Sequence, residues 1–178
     1  MAIPKNAKPA KSKKTQPEVA EQKTDFKAKN VFTKQKFSSL NVNLTERQME
    51  LYKTIRNNIF TIVQGPSGTA KTYTACYTAL GLLADAKIEQ IIITKPLVEA
   101  NDRSMGFLPG TLEDKIYPYM KSYLHTFEKI LTKPVLDILI SNKVIVIETL
   151  NFMRGDTFDR SIMLLDECQN ATMTDLIL

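Results

Sequence analysis

Short apolar runs that alternate with helix-length stretches predict an α/β fold built on a parallel sheet. Two observations support this. The runs Ile59–Val63, Gln90–Thr94, Lys143–Ile147 and Ser161–Leu165 are rich in β-branched or continuously apolar residues. Strands buried on both faces read this way. Helical patterns lie between them, so right-handed crossovers are the natural connections.

Taken in order, residues 1–37 are rich in Lys, Pro, Ala and Gln and poor in large apolar residues. That composition predicts disorder, with a basic tail over 1–39 and a folded core over 40–178. Thr45 reads as a helix N-cap, with Gln48 three residues on completing a capping box. Met49, Tyr52 and Ile55 follow at helical spacing. Ile59–Val63 reads as a buried strand that runs into a glycine-containing turn. A helix is expected over Lys71–Ala84, then the strand Gln90–Thr94, which Lys95-Pro96 ends. Phe107–Gly110 reads as a turn, Leu112–Leu131 and Pro134–Ile140 as helices, and the last two apolar runs as strands.

The chain has 178 residues and a formal charge of +5, but the charge is unevenly spread. Residues 1–40 hold ten lysines against Glu18, Glu21 and Asp25, a net +7 that leaves −2 for the remainder. Such a tail attracts nucleic acid through its phosphates, or acts only as a solubilising arm. No apolar run approaches the roughly 20 residues needed to cross a bilayer. The lysine-rich start has no apolar segment behind it, unlike a secretory signal. Two cysteines, Cys76 and Cys168, make neither a disulfide framework nor a zinc site. A cytoplasmic protein without a membrane anchor is the expectation.

Gly65-Pro66-Ser67-Gly68-Thr69-Ala70-Lys71-Thr72 joins an expected strand to an expected helix. This is the context in which a phosphate-cradling loop works. Backbone N–H groups turn inward around a polyphosphate at the positive end of a helix. Lys71 would neutralise the β- and γ-phosphates, and the Thr72 hydroxyl would ligate Mg²⁺. ATP and Mg²⁺ are therefore the expected ligands. Glycine usually precedes this lysine, and here Ala70 does. Alanine is tolerable there at negative φ and costly at positive φ.

Ile162–Leu165 delivers Asp166 and Glu167 to a strand's carboxyl end, where open parallel sheets place their ligand sites. Asp166 suits a magnesium ligand. Glu167 suits the polarisation of an attacking water. Cys76 reads as core. His125, the sole histidine, reads as an exposed helix residue.

Asp166-Glu167-Cys168-Gln169 resembles the DEAQ-type motif of helicase-like ATPases. With Gly65–Thr72, Ile93–Ala100, Gly106–Tyr119 and Phe152–Phe158, the chain resembles the PhoH family of ATPases from about Leu44 onward. Cys168 stands where that family usually has alanine. The resemblance implies a RecA-like P-loop NTPase core of the helicase superfamily-1 type. It implies a homo-oligomeric ring, commonly hexameric, working near RNA or single-stranded DNA. Gln48 matches a glutamine that reads adenine, or is a solvated helix residue. Gln169 would couple the γ-phosphate to nucleic-acid binding. Lys95 would touch the nucleic-acid backbone, or simply follow a strand end. Arg154 would contact nucleic acid or a neighbouring subunit, or pair with Asp156 or Asp159.

The resemblance also implies further strands, a sensor motif and an arginine finger that this sequence lacks. A fold incomplete at the C-terminus is expected, with Ile59–Val63 and Ile162–Leu165 facing a gap. An ATP-driven nucleic-acid remodeller is the leading function. A nucleotide-dependent binding module without useful turnover is the alternative, and a small-molecule phosphotransferase ranks below both.

Overall fold

A computed structural model describes residues 32–40, 42–96, 112–150, 153, 155 and 157–173, apart from the side chains of 35 and 112–120. Three parallel strands form its sheet: β1 (Gln90–Lys95), β2 (Ile145–Thr149) and β3 (Ser161–Leu165), in the order β2-β1-β3. Five helices surround them: α1 (Lys34–Ser38), α2 (Glu46–Asn57), α3 (Lys71–Ala84), α4 (Leu112–Ile130) and α5 (Lys133–Ser141).

The register explains the core. Ile91 and Ile93 of β1 lie beside Ile145 and Ile147 of β2 and beside Ile162 and Leu164 of β3. Alternation puts all six on one face of the sheet. They pack in one cluster with Cys76, Ala79 and Leu80 of α3, Tyr123 and Phe127 of α4, and Leu136 and Leu139 of α5. The parallel α/β expectation therefore holds, and the expected helices recur within a residue or so. The third expected strand is displaced: β2 begins at Ile145, because Lys143 adopts a left-handed conformation (φ 54°) at the end of α5.

Two expectations are corrected. Ile59–Val63 forms no strand. Ile59 is 109% exposed, Phe60 80% and Ile62 75%, and among the described residues β3 pairs only with β1. The residue types suit a buried strand. A strand is held by its ladder, and no described segment lies alongside to supply one. The tail boundary also moves: Phe32 is buried in the core cluster, α1 follows it, and the Phe37 ring stacks on Tyr77 at 4.8 Å. Residues 1–31 lie outside the described part.

The helix before the loop is well anchored. Thr45 N–H donates to Gln48 Oε1 at 2.8 Å, and Gln48 N–H donates to Thr45 Oγ1 at 3.4 Å, the reciprocal capping box expected. α2 then meets α3 closely at Gly81. A β-carbon there would stand 3.0 Å from the Phe37 ring and 3.2 Å from both the Tyr52 hydroxyl and Arg56 Nη1. Arg56 stacks over Tyr52 and pairs with Asp85, just past the end of α3. The pair is largely withdrawn from water, with side chains 17% and 24% exposed. Asp85→Ala should therefore cost about 2 kcal/mol of unfolding free energy, the scale of a lost charge-assisted hydrogen bond. A lower urea midpoint at unchanged slope is the expected readout.

Candidate nucleotide site

The site is built where α3 begins and β3 ends. Ala70 lies at the N-cap of α3 with φ 58° and ψ 32°, the left-handed region. The positive φ that makes alanine costly is thus the one adopted. Gly68 also has positive φ (79°), which glycine takes without strain. Thr69 Oγ1 donates to the Pro66 carbonyl at 2.9 Å and closes the turn. The first N–H groups of α3 lack helical acceptors, as at every helix start, and they open onto the loop.

Lys71 folds back over this loop. Its ammonium donates to the carbonyls of Gly65 at 2.9 Å and Pro66 at 2.8 Å. Thr72, the next residue, reaches across to the sheet. Its hydroxyl donates to Asp166 Oδ2 at 3.2 Å, joining residues 94 positions apart. Asp166 in turn continues the ladder of β3, its N–H donating to the Thr94 carbonyl at 3.1 Å. The spacing suits a magnesium ion. Adjacent oxygens of an octahedron at 2.0–2.1 Å stand about 2.9 Å apart. Magnesium takes few protein ligands beside phosphates and water, so a hydroxyl and one carboxylate form a sufficient donor set.

Glu167 departs from the strand through a second left-handed residue (φ 53°), which opens a short 3-10 turn, Cys168–Asn170. Glu167 Oε2 accepts a short hydrogen bond from Gln169 Nε2. Both residues are exposed. Strained backbone of this kind persists where the surroundings over-determine it, often at functional sites.

Beneath the Thr72–Asp166 bond lies a dry layer. Cys76, one turn along α3, is fully buried, and its thiol is pushed up to about 12, by burial first and by the Asp166 charge second. Tyr123 of α4 is 1% exposed, and its hydroxyl is buried without a hydrogen bond of normal geometry. Burial raises the phenol most. The Asp166 charge raises it next, and interaction with that carboxylate adds to the shift. Sequence reading missed Tyr123. It is one aromatic among several on α4, and only the sheet register reveals its neighbour.

The other expected site residues are dispersed. Gln48 has its amide oxygen committed to the α2 cap, and the cap does not use its amide nitrogen. Lys95 ends β1 in register with Thr149, one residue past the Thr94 that receives the Asp166 N–H. It therefore stands at the same edge of the sheet as the acidic pair. Ser67 is exposed on the loop. Arg154 lies outside the described residues, as does Phe107–Gly110.

A strand-edge carboxylate facing a glycine-containing loop at a helix start defines a P-loop nucleotide-binding protein on a parallel α/β sheet. The family model for PhoH-like protein matches residues 42–178, and the chain belongs to that family. It is 38% identical to a PhoH-like protein of Bacillus subtilis over 128 residues, 72% of this chain and 40% of the relative. It is 41% identical to a PhoH-like protein of Mycobacterium leprae over 108 residues, 61% of this chain and 31% of the relative. Protein PhoH of Escherichia coli is 29% identical over 133 residues, 74% of this chain and 37% of its own length. The matches thus span well under half of each of these relatives. Among the described residues, no helix is long and apolar enough to cross a membrane.

The left-handed Ala70 yields a prediction. A left-handed alanine costs roughly 1–2 kcal/mol that glycine avoids. Ala70→Gly should stabilise the fold by about 1 kcal/mol, seen as a higher urea midpoint.

Proposed function

We propose that this chain binds ATP with magnesium and hydrolyses it. The single observation that carries the reading is the 3.2 Å hydrogen bond between Thr72 and Asp166. It brings the helix that would bear the phosphates against the strand that would bear the acidic pair.

In this reading the triphosphate lies along Gly65–Thr72, and main-chain N–H groups and the α3 N-terminus receive it. The Lys71 ammonium leaves the carbonyls of Gly65 and Pro66 and turns to the β- and γ-phosphates. A bound magnesium ion would spread the charge that develops on the departing phosphate oxygens. Thr72 and Asp166 would hold it. Glu167 orients a water and accepts its proton as the water oxygen bonds to the γ-phosphorus. The bond from phosphorus to the β–γ bridging oxygen breaks. Gln169 orients Glu167 through the hydrogen bond between their side chains. Its release by another ligand would couple that ligand to turnover.

Hydrolysis is tested by Lys71→Ala and Glu167→Gln. The lysine variant should lose nucleotide affinity. The glutamine variant should keep it and lose turnover by about 10²–10⁴-fold, the range for a general base. The competing reading, a nucleotide-dependent binding module without turnover, draws support from the strained Ala70. It prevails if the unmodified chain binds ATP tightly and Glu167→Gln changes no rate.

The proposal extends to single-stranded nucleic acid, RNA or DNA, with copies assembled as a ring. Eight lysines among residues 1–31 supply the phosphate contacts, and Lys95 lies at the sheet edge beside the acidic pair. Removing residues 1–31 spares Phe32, which the core needs. That truncation should flatten the dependence of nucleic-acid affinity on salt, because fewer counterions are released. An unchanged slope would reduce the tail to a solubilising arm.

A further inference from the structure

The Tyr123 hydroxyl is a buried polar group with no task in the reading above. Buried hydroxyls are normally satisfied, so an orphan in the core cluster needs an explanation. Its position can be triangulated without reference to any charge. Tyr123 and Cys76 belong to one core cluster, and Leu164 packs against that cluster. Cys76 lies four residues after Thr72, directly below it on α3. Leu164 lies two residues before Asp166, on the same face of β3. Two residues of this packing, Cys76 and Leu164, are thus one step beneath the two ends of the Thr72–Asp166 hydrogen bond. Among the described residues, the other buried side-chain groups without partners are differently placed. Arg56 pairs with Asp85 through its second nitrogen, Thr94 belongs to the opposite face of the sheet, and Thr149 is on the far strand.

Building on the ATP and magnesium reading, we propose that Tyr123 is a positioning residue, whose hydroxyl donates to the Asp166 carboxylate and holds it in the orientation that meets the metal. Thr72 engages Oδ2 from the side of α3, and Tyr123 restrains the carboxylate from below, from α4. Two donors from two helices then fix a group that one would leave free to rotate. Hydrogen bonds in such sites are commonly long before the ligand arrives and tighten with it. This accounts for a buried hydroxyl of the core cluster that has no hydrogen-bond partner. A donor behind a metal ligand usually changes metal affinity about 10–100-fold when removed.

The test is Tyr123→Phe in the full chain, with a fluorescent ATP analogue titrated at varied Mg²⁺. The ring stays, so its packing in the core cluster is kept. Expected is a rise of about tenfold or more in the Mg²⁺ concentration for half-maximal binding, with metal-free binding of the analogue unchanged. Phe127→Leu, one turn further along α4 in the same cluster, is the control. It should lower the melting temperature and leave the Mg²⁺ midpoint in place. An unmoved midpoint in Tyr123→Phe overturns the positioning role alone. Equal shifts in both variants also overturn it, because general loosening of α4 would then suffice. If the unmodified chain binds the analogue with no Mg²⁺ dependence, the magnesium reading fails and this inference with it.

Discussion

The site depends on one contact, the hydroxyl of Thr72 against the carboxylate of Asp166. Neither partner is placed by its immediate neighbours in sequence. Thr72 is set by the start of α3, which is packed through Cys76, Ala79 and Leu80 onto the sheet. Asp166 is set by β3, whose ladder with β1 extends through the Asp166 N–H itself. The hydrogen bond therefore reports the packing of a helix on a sheet. Displacement of either by an ångström would open it. This coupling makes core residues such as Cys76 and Tyr123 part of the site's geometry, although they touch no solvent. It also sets the local electrostatics: the Asp166 charge opposes ionisation of the thiol and the phenol below it. The layer under the carboxylate stays neutral as well as dry.

Much of this was legible in the residues. The β-branched run Gln90–Thr94, the capping pair Thr45 and Gln48, and Pro134 in the first turn of α5 each carry a local signal with a local cause. The approach of Thr72 to Asp166 was also readable, because parallel sheets gather ligands at one edge. Three things were not. Ile59–Val63 has the composition of a strand, but composition says nothing about whether a ladder partner exists. Phe32 anchors α1 to the core, and its lysine-rich surroundings masked one aromatic. Tyr123 gains its interest from a period-2 register on β3 and a period-3.6 register on α3. A linear reading does not superpose these.

Backbone strain was legible only as a condition. The cost of Ala70 depended on the sign of φ, and the structure supplies a positive one. Glu167 is in the same state at the opposite wall. Two non-glycine residues in left-handed conformations thus flank the Thr72–Asp166 bond. Each turns the chain sharply at the point where a functional side chain must leave a regular element. Without the turn at Ala70, the helix would not begin with its N–H groups facing the loop.

The loop is held asymmetrically, and this bears on how it would respond to a ligand. On its trailing side α3 is buried and fixed. On its leading side Ile59–Val63 makes no ladder bonds and is largely in water. Between them, the loop's conformation rests on Lys71 bonding the Gly65 and Pro66 carbonyls and on Thr69 bonding Pro66. A triphosphate that draws the Lys71 ammonium away removes two of these bonds and must replace them with contacts of its own to the main chain. The net affinity then includes the work of re-forming the loop. Any strand that paired with Ile59–Val63, or with the edge of β3 that no described segment pairs, would lower that work by fixing the loop's leading side in advance. A segment paired there and a phosphate bound at the loop would then be linked through the same eight residues, and each would strengthen the other by an equal free energy.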